Sequence, residues 1–123
     1  MPRGYLLDRT EVGTAQTVGT ATSVLATIAA PAAGKVARLE GRALGFDSAN
    51  SAAVSLARAA TIRNVGGTIT VAGAADLLSA IGDAALGTAA LLFAVNGSSI
   101  ELRVTGVLTK TINWTGEITP WTT

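Results

Sequence analysis

The dipeptide Asn96-Gly97 stands between two runs in which apolar residues alternate with others, and that arrangement leaves the chain few ways to fold. Asn-Gly supplies the positive φ angles of a two-residue type I′ turn, so it predicts a tight hairpin between Val95 and Ser98. Pairing outward from this turn sets Val95 against Ser98, Phe93 against Ile100, Leu91 against Leu102 and Ala89 against Val104, on one face that is apolar on both strands. The other face pairs Ala94 with Ser99, Leu92 with Glu101 and Ala90 with Arg103. A slip of one residue would bury Glu101 and Arg103, so the pattern resists it.

Period-two patterning recurs along the chain. Residues 21–30 are rich in β-branched side chains and run into Pro31, as a first core strand would. Residues 35–47 set Arg38, Glu40 and Arg42 on one parity and Ala37, Leu39, Gly41, Ala43 and Gly45 on the other. Helical spacing through Val36, Leu39, Ala43 and Phe46 also fits, but Gly41 and Gly45 would each cost a helix about 1 kcal/mol relative to Ala, which favours a strand. Residues 51–63 contain helix-forming alanines, yet Val54, Leu56, Ala60 and Ile62 share one parity with Arg58 as the misfit, and we read a strand. Gly66-Gly67 is a hairpin turn into a short alternation, Thr68 to Val71, that ends at Gly73. Residues 76–87 read as a loop, or as a short helix with Leu77, Leu78 and Ile81 on one side. In the last segment Ile112, Trp114 and Ile118 alternate with Thr111, Asn113, Thr115, Glu117 and Thr119, a strand expected to stop at Pro120.

Residues 1–20, with three glycines among Thr, Gln and Glu, read as an extended N-terminal arm, leaving 21–123 as a single domain. Seven or eight strands, closely spaced turns and no long amphipathic helix predict an all-β fold: an antiparallel β-sandwich, jelly-roll-like. At 123 residues such a domain buries enough surface to fold without disulfides or metal.

Composition narrows the chemistry. There is no Cys and no His, which removes zinc fingers, thiolate and imidazole catalysis and haem ligation. Nine Lys and Arg against eight Asp and Glu lack the basic excess that phosphate-backbone binding needs, so nucleic acid is not an expected partner. Only 14% of residues are charged while 49% are hydrophobic, so apolar surface must be covered by something. The most apolar stretch, 84–95, is broken by Gly87 and Thr88 and falls short of the roughly 20 residues of a spanning helix, so a membrane is not expected to be the cover. Other protein chains remain. The first residues lack the apolar run of a secretory signal, and the absence of cysteine fits a cytosolic assembly site.

The motifs with possible chemistry are weak. Gly34-Lys35 lacks both the upstream glycine (the position holds Ala29) and the hydroxyl (Val36) of a phosphate loop, and no three glycines have dinucleotide-binding spacing. A carboxylate-pair hydrolase would draw on Glu40, Asp47, Asp76, Asp83, Glu101 and Glu117, but aromatic platforms for sugars are scarce and no pair is indicated. Asp76 and Asp83 flank a loop, but their spacing resembles no compact oxygen cage such as the EF-hand loop. Asn96-Gly97-Ser98 and Asn113-Trp114-Thr115 match a glycosylation triplet but read better as a turn and a strand. No cofactor, metal or catalytic residue is expected. Arg38, Glu40 and Arg42 form a charged stripe, either solvated or an intersubunit ion-pair ladder. Trp114 is expected in the core, whereas Trp121 has no obvious core position and is an interface candidate, as are Tyr5, Leu6, Leu7 and Arg9 of the arm.

Residues 100–107, Ile-Glu-Leu-Arg-Val-Thr-Gly-Val, followed by Thr111-Ile112-Asn113-Trp114, resemble the C-terminal signature of small structural proteins of tailed bacteriophages: a strand ending in Val-Thr-Gly, then an Ile-any-Trp strand. The likeness covers about the last 60 residues, including Gly66-Gly67-Thr68 and the Asn96-Gly97 hairpin. It implies a β-rich, non-enzymatic virion component. Within that class the expectation is a capsid decoration or cement protein, a homotrimer bound between capsomers of the major capsid protein on the capsid surface. The alternative is a tail-fibre or receptor-binding β-domain.

Overall fold

Along residues 36–47 every second side chain is buried without exception, and this strict alternation organises the molecule. A computed structural model describes residues 10–123. Among them are eight strands: β1 (Glu11–Val18), β2 (Thr22–Ala29), β3 (Val36–Asp47), β4 (Ala52–Val65), β5 (Thr68–Gly82), β6 (Ala90–Asn96), β7 (Ser99–Thr105) and β8 (Thr111–Thr122), with one 3-10 turn at Ala84–Leu86. They form a five-stranded sheet in the order β1-β8-β3-β4-β5 and a three-stranded sheet in the order β2-β7-β6. All ladders are antiparallel. The protein is all-β, and its core lies between the two sheets.

The large sheet sends Leu39, Ile62, Ile112, Trp114 and Ile118 inward, and the small sheet sends Ile100, Leu102 and Val104; each is at most 2% exposed. Removing such side chains from water contributes about 1.5–3 kcal/mol apiece, the main driving force for bringing the sheets together. Trp114 is the widest of them. Its indole Nε1 donates to Thr17 Oγ1 at 2.9 Å, so the one polar atom of the ring is satisfied inside the core. The ring has room because position 45 on β3 is glycine: a Cβ there would stand 2.5 Å from Trp114 Cζ3.

Several expectations from the sequence change in the folded chain. Residues 11–18 are not a free arm but β1, paired with β8 from Glu11↔Ile118 to Val18↔Thr111. Thr17 faces inward to meet Trp114, and that buried partner, almost a hundred residues away, turns a polar, glycine-containing segment into sheet. The hairpin register is shifted by two: Asn96 pairs with Ser99, Val95 with Ile100 and Phe93 with Leu102, so Gly97-Ser98 is the turn. Gly97 has φ 61°, whereas Ser98 is not among the positive-φ residues, and glycine first in the loop is the II′ pattern. A shift of two preserves parity, so Leu91, Phe93, Ile100, Leu102 and Val104 still face the core.

Of residues 51–63, all but Ser51, which belongs to the preceding turn, are strand within β4. Arg58 sits opposite Gly41 on the core-facing parity and escapes sideways, its Nη1 donating to Asp76 Oδ1 at 2.9 Å. Gly66 and Gly67 form the expected turn, both with positive φ (61° and 90°). Residues 76–82, read as loop or helix, instead extend β5 as far as Gly82. Pro120 does not end β8. Thr123 N–H donates to the Val36 carbonyl at 2.9 Å, and alternation along the ladder then turns the Pro120 nitrogen away from β3. On that side β1 has already begun at Glu11, opposite Ile118, so no ladder bond to β1 is lost among the described residues.

Candidate functional site

The charged stripe and Trp121 come together on the outer face of the large sheet, turned away from the core. Arg38, Glu40 and Arg42 occupy the exposed parity of β3, opposite Trp121, Thr119 and Glu117 of β8. Arg38 Nε donates to Glu40 Oε2 at 3.1 Å, and Arg42 Nη2 donates to Glu117 Oε2 at 2.5 Å. The stripe is therefore a set of intrachain pairs. Exposed pairs of this kind contribute about 0–1 kcal/mol each, and here they leave the face with little net charge. Trp121 is 58% exposed beside Arg38. Tyr5, Leu6, Leu7 and Arg9 lie outside the described residues.

Beside these pairs the face carries exposed apolar side chains among threonines and amides. Val12, Leu44 and Phe46 are 71%, 65% and 47% exposed, on β1 and β3. Val12, Arg42, Leu44, Ser55, Thr115 and Glu117 line a shallow depression of about 380 Å³. The sequence named the charges on this face but not its apolar members, because an exposed Leu or Val in a strand has the same local signature as a buried one; only the parity of its neighbours tells them apart.

A second exposed region lies at the far edge of the same sheet. From Ala72 to Gly82 β5 is exposed at every position, including Leu77, Leu78 and Ile81. Asp76, Leu78 and Ala80 line a cleft of about 110 Å³ with Gly87, Ala89, Ala90 and Leu91 at the start of β6. The three-stranded sheet ends at β6 and does not reach across β5.

The six carboxylates that could have served a hydrolase are each engaged separately. Glu40 and Glu117 hold Arg38 and Arg42, and Asp76 holds Arg58. Asp47 accepts from Ala49 N–H and Asn50 Nδ2 in the β3–β4 turn, and Asp83 accepts from Ala53 N–H at 2.8 Å. Glu101, on the outer face of the small sheet, accepts from Asn96 Nδ2 at 2.7 Å and from Arg103 Nε and Nη2. The Asn96 hydrogen bond first, and then Arg103, hold its carboxyl below the usual glutamate value. Among the described residues no three acidic groups gather as a metal site, and no helix is long and apolar enough to cross a membrane.

No protein-family model matches the chain, and no curated protein matches its sequence. Among solved structures it is similar to the tailspike protein of Acinetobacter phage vB_ApiP_P1 (TM-score 0.48, 18% identity, 95% of this chain and 21% of that one). It is also similar to the tailspike of Acinetobacter baumannii phage AM24 (TM-score 0.45, 11% identity, 90% and 26%). A third is the tailspike of A. baumannii bacteriophage Fri1, a capsular polysaccharide depolymerase (TM-score 0.40, 12% identity, 89% and 17%). The chain spans about a quarter or less of each tailspike. The all-β assignment stands on the strands and ladders themselves.

Proposed function

We propose that this chain is a non-enzymatic structural β-domain of a tailed-bacteriophage virion, placed in the tail as part of a spike or fibre, and that it works by burying sheet surface against other chains. The observation that carries the reading is the exposed, weakly charged apolar surface of the five-stranded sheet: Val12, Leu44, Phe46 and Trp121 on its outer face, and Leu77, Leu78 and Ile81 on β5. Exposed large apolar side chains in this number, on a sheet with little net charge, favour a surface that is covered by other chains. The bacteriophage part of the reading comes from the Val-Thr-Gly and Ile-any-Trp strands, which are β7 and β8 here, adjoining the core through Val104, Ile112 and Trp114.

The tail is preferred to the capsid surface for a physical reason. A free N-terminal arm would suit docking on a capsid shell, and from Glu11 onward that segment is instead committed to β8 as β1. The test is immunogold electron microscopy of the virions that carry this chain, with an epitope inserted at the solvent-facing Gly66-Gly67 turn. Gold on the tail supports the proposal. Gold over the head restores the capsid reading, and particles without gold remove the virion role altogether.

A further inference from the structure

β5 is the longest strand of the molecule, fifteen residues, and the least covered. Every other edge is short or attended. β1 and β2 have eight residues each and close one side of the sandwich, where Ser23 Oγ donates to the Gln16 carbonyl at 3.2 Å. β6 has seven. Natural proteins blunt long edge strands with Lys, Pro, inward charges or bulges. Residues 68–82 contain no Lys and no Pro, and one charge, Asp76, which Arg58 of the same chain neutralises. Register shifts near Ala57 and Thr61 bend the ladder but leave its outer side open.

We infer that a second copy of this chain covers β5, joining along Ala72–Gly82 of the strand edge and the cleft it forms with the start of β6. The inference rests on the reading above that the chain acts by burying surface, and it names the partner. Two features of the strand point to a copy rather than a foreign protein. The strand is divided into a small half, Ala72-Gly73-Ala74-Ala75, and a bulky half carrying Leu77, Leu78 and Ile81. What the bulky half needs opposite it, the small half of another copy supplies, so no foreign surface is required for the fit. The neutralised Asp76 lets two identical strands approach without repulsion, and it offers an oppositely charged ligand little to bind. The area sets the strength: the eleven residues of Ala72–Gly82 at about 3.4 Å each, over a strip about 10 Å deep, give roughly 370 Å² per copy and about 750 Å² for the pair, the size of a weak, concentration-dependent contact.

The test is the mass of the full chain by light scattering at micromolar and at hundred-micromolar concentration, for the wild type and for Leu78→Asp, Ile81→Asp and Ala75→Lys. All three variants alter exposed positions, and far-UV circular dichroism of dilute samples checks that each keeps its fold. The expected result is a wild-type multimer, with each variant weakening association by at least about tenfold, and hydrogen exchange in β5 that slows in the wild type as concentration rises. A wild type that stays monomeric at the higher concentration overturns the inference. So does a multimer that ignores the β5 variants but dissociates with Val12→Asp and Leu44→Asp, which puts the junction on the outer face. Tail location is read separately by the gold label, so copies that join through β5 in a protein missing from the tail would refute only the placement.

Discussion

β3 and β5 flank the same strand, β4, and pair with it over most of their lengths, yet they are opposite in character. β3 has a paired neighbour on each side and the small sheet beneath it, and its burial alternates residue by residue. β5 has a neighbour on one side only, and beyond Val71 neither face is covered. The alternation that identifies β3 in the sequence is therefore a record of one-sided burial, not of strand geometry. Where neither face is buried, nothing selects apolar residues for one parity, and Leu77 and Leu78 stand side by side. The same backbone conformation is legible in one strand and silent in the next.

The contrast can be broken most forcefully on the β3 side. Trp114→Ala removes the widest core side chain, leaves Thr17 Oγ1 without its donor, and is expected to destabilise the fold by about 3–5 kcal/mol in urea unfolding. Gly45→Ala pushes a methyl against the Trp114 ring, which has no free space to yield. A loss of about 1–3 kcal/mol is expected, and a Gly45→Ala protein with an unchanged midpoint would show that the ring is looser than its surroundings indicate.

Asn64, at the end of β4, probes the boundary between the two regimes. Its Nδ2 donates to the Pro31 carbonyl and its Oδ1 accepts from Gly67 N–H, both at 2.9 Å, so it ties the β4–β5 turn to the β2–β3 connection. Asn64→Ala is expected to lose about 1–3 kcal/mol by thermal melting, because the amide is buried and its partners are left unsatisfied.

Glu101 sharpens the comparison through pH. Its folded pKa lies below the ordinary value of 4.5, so its pairing stabilises the protein fully above that value and the contribution is lost as pH falls through the folded pKa. Acid titrations of stability should show that loss in the wild type and a smaller one in Glu101→Gln. The smallest effect is expected on β5: Leu77→Ser, measured at concentrations too low for association, should change stability by less than about 0.5 kcal/mol, since the side chain leaves no cavity behind.

Glu101 and Arg58 also mark where parity misleads. Glu101 belongs to the outer face of the small sheet, yet its side chain is only 11% exposed, covered by Arg103 and Asn96 rather than by a second sheet. Arg58 belongs to the core-facing parity and survives there because the sandwich is open at β5, where the guanidinium can reach Asp76. Neither environment is written in the residues beside it. The four described candidates on the outer face, Arg38, Glu40, Arg42 and Trp121, were readable because β3 and β8 alternate cleanly; the apolar positions around them, and the whole of β5, were not.

The sequence by itself determined the all-β character and the inward-facing set on β3, β4, β6, β7 and β8, since period-two burial leaves its imprint on neighbouring residues and survives even a register shift of two at the Gly97-Ser98 turn. Only the tertiary structure decided that residues 11–18 join β8, that Thr17 meets the Trp114 indole, that Pro120 lies within a strand, and that β5 stands uncovered at the edge. Each of those depends on a partner distant in the chain or on the absence of one. Local periodicity records whether a face is buried; it carries no information about which segment does the burying.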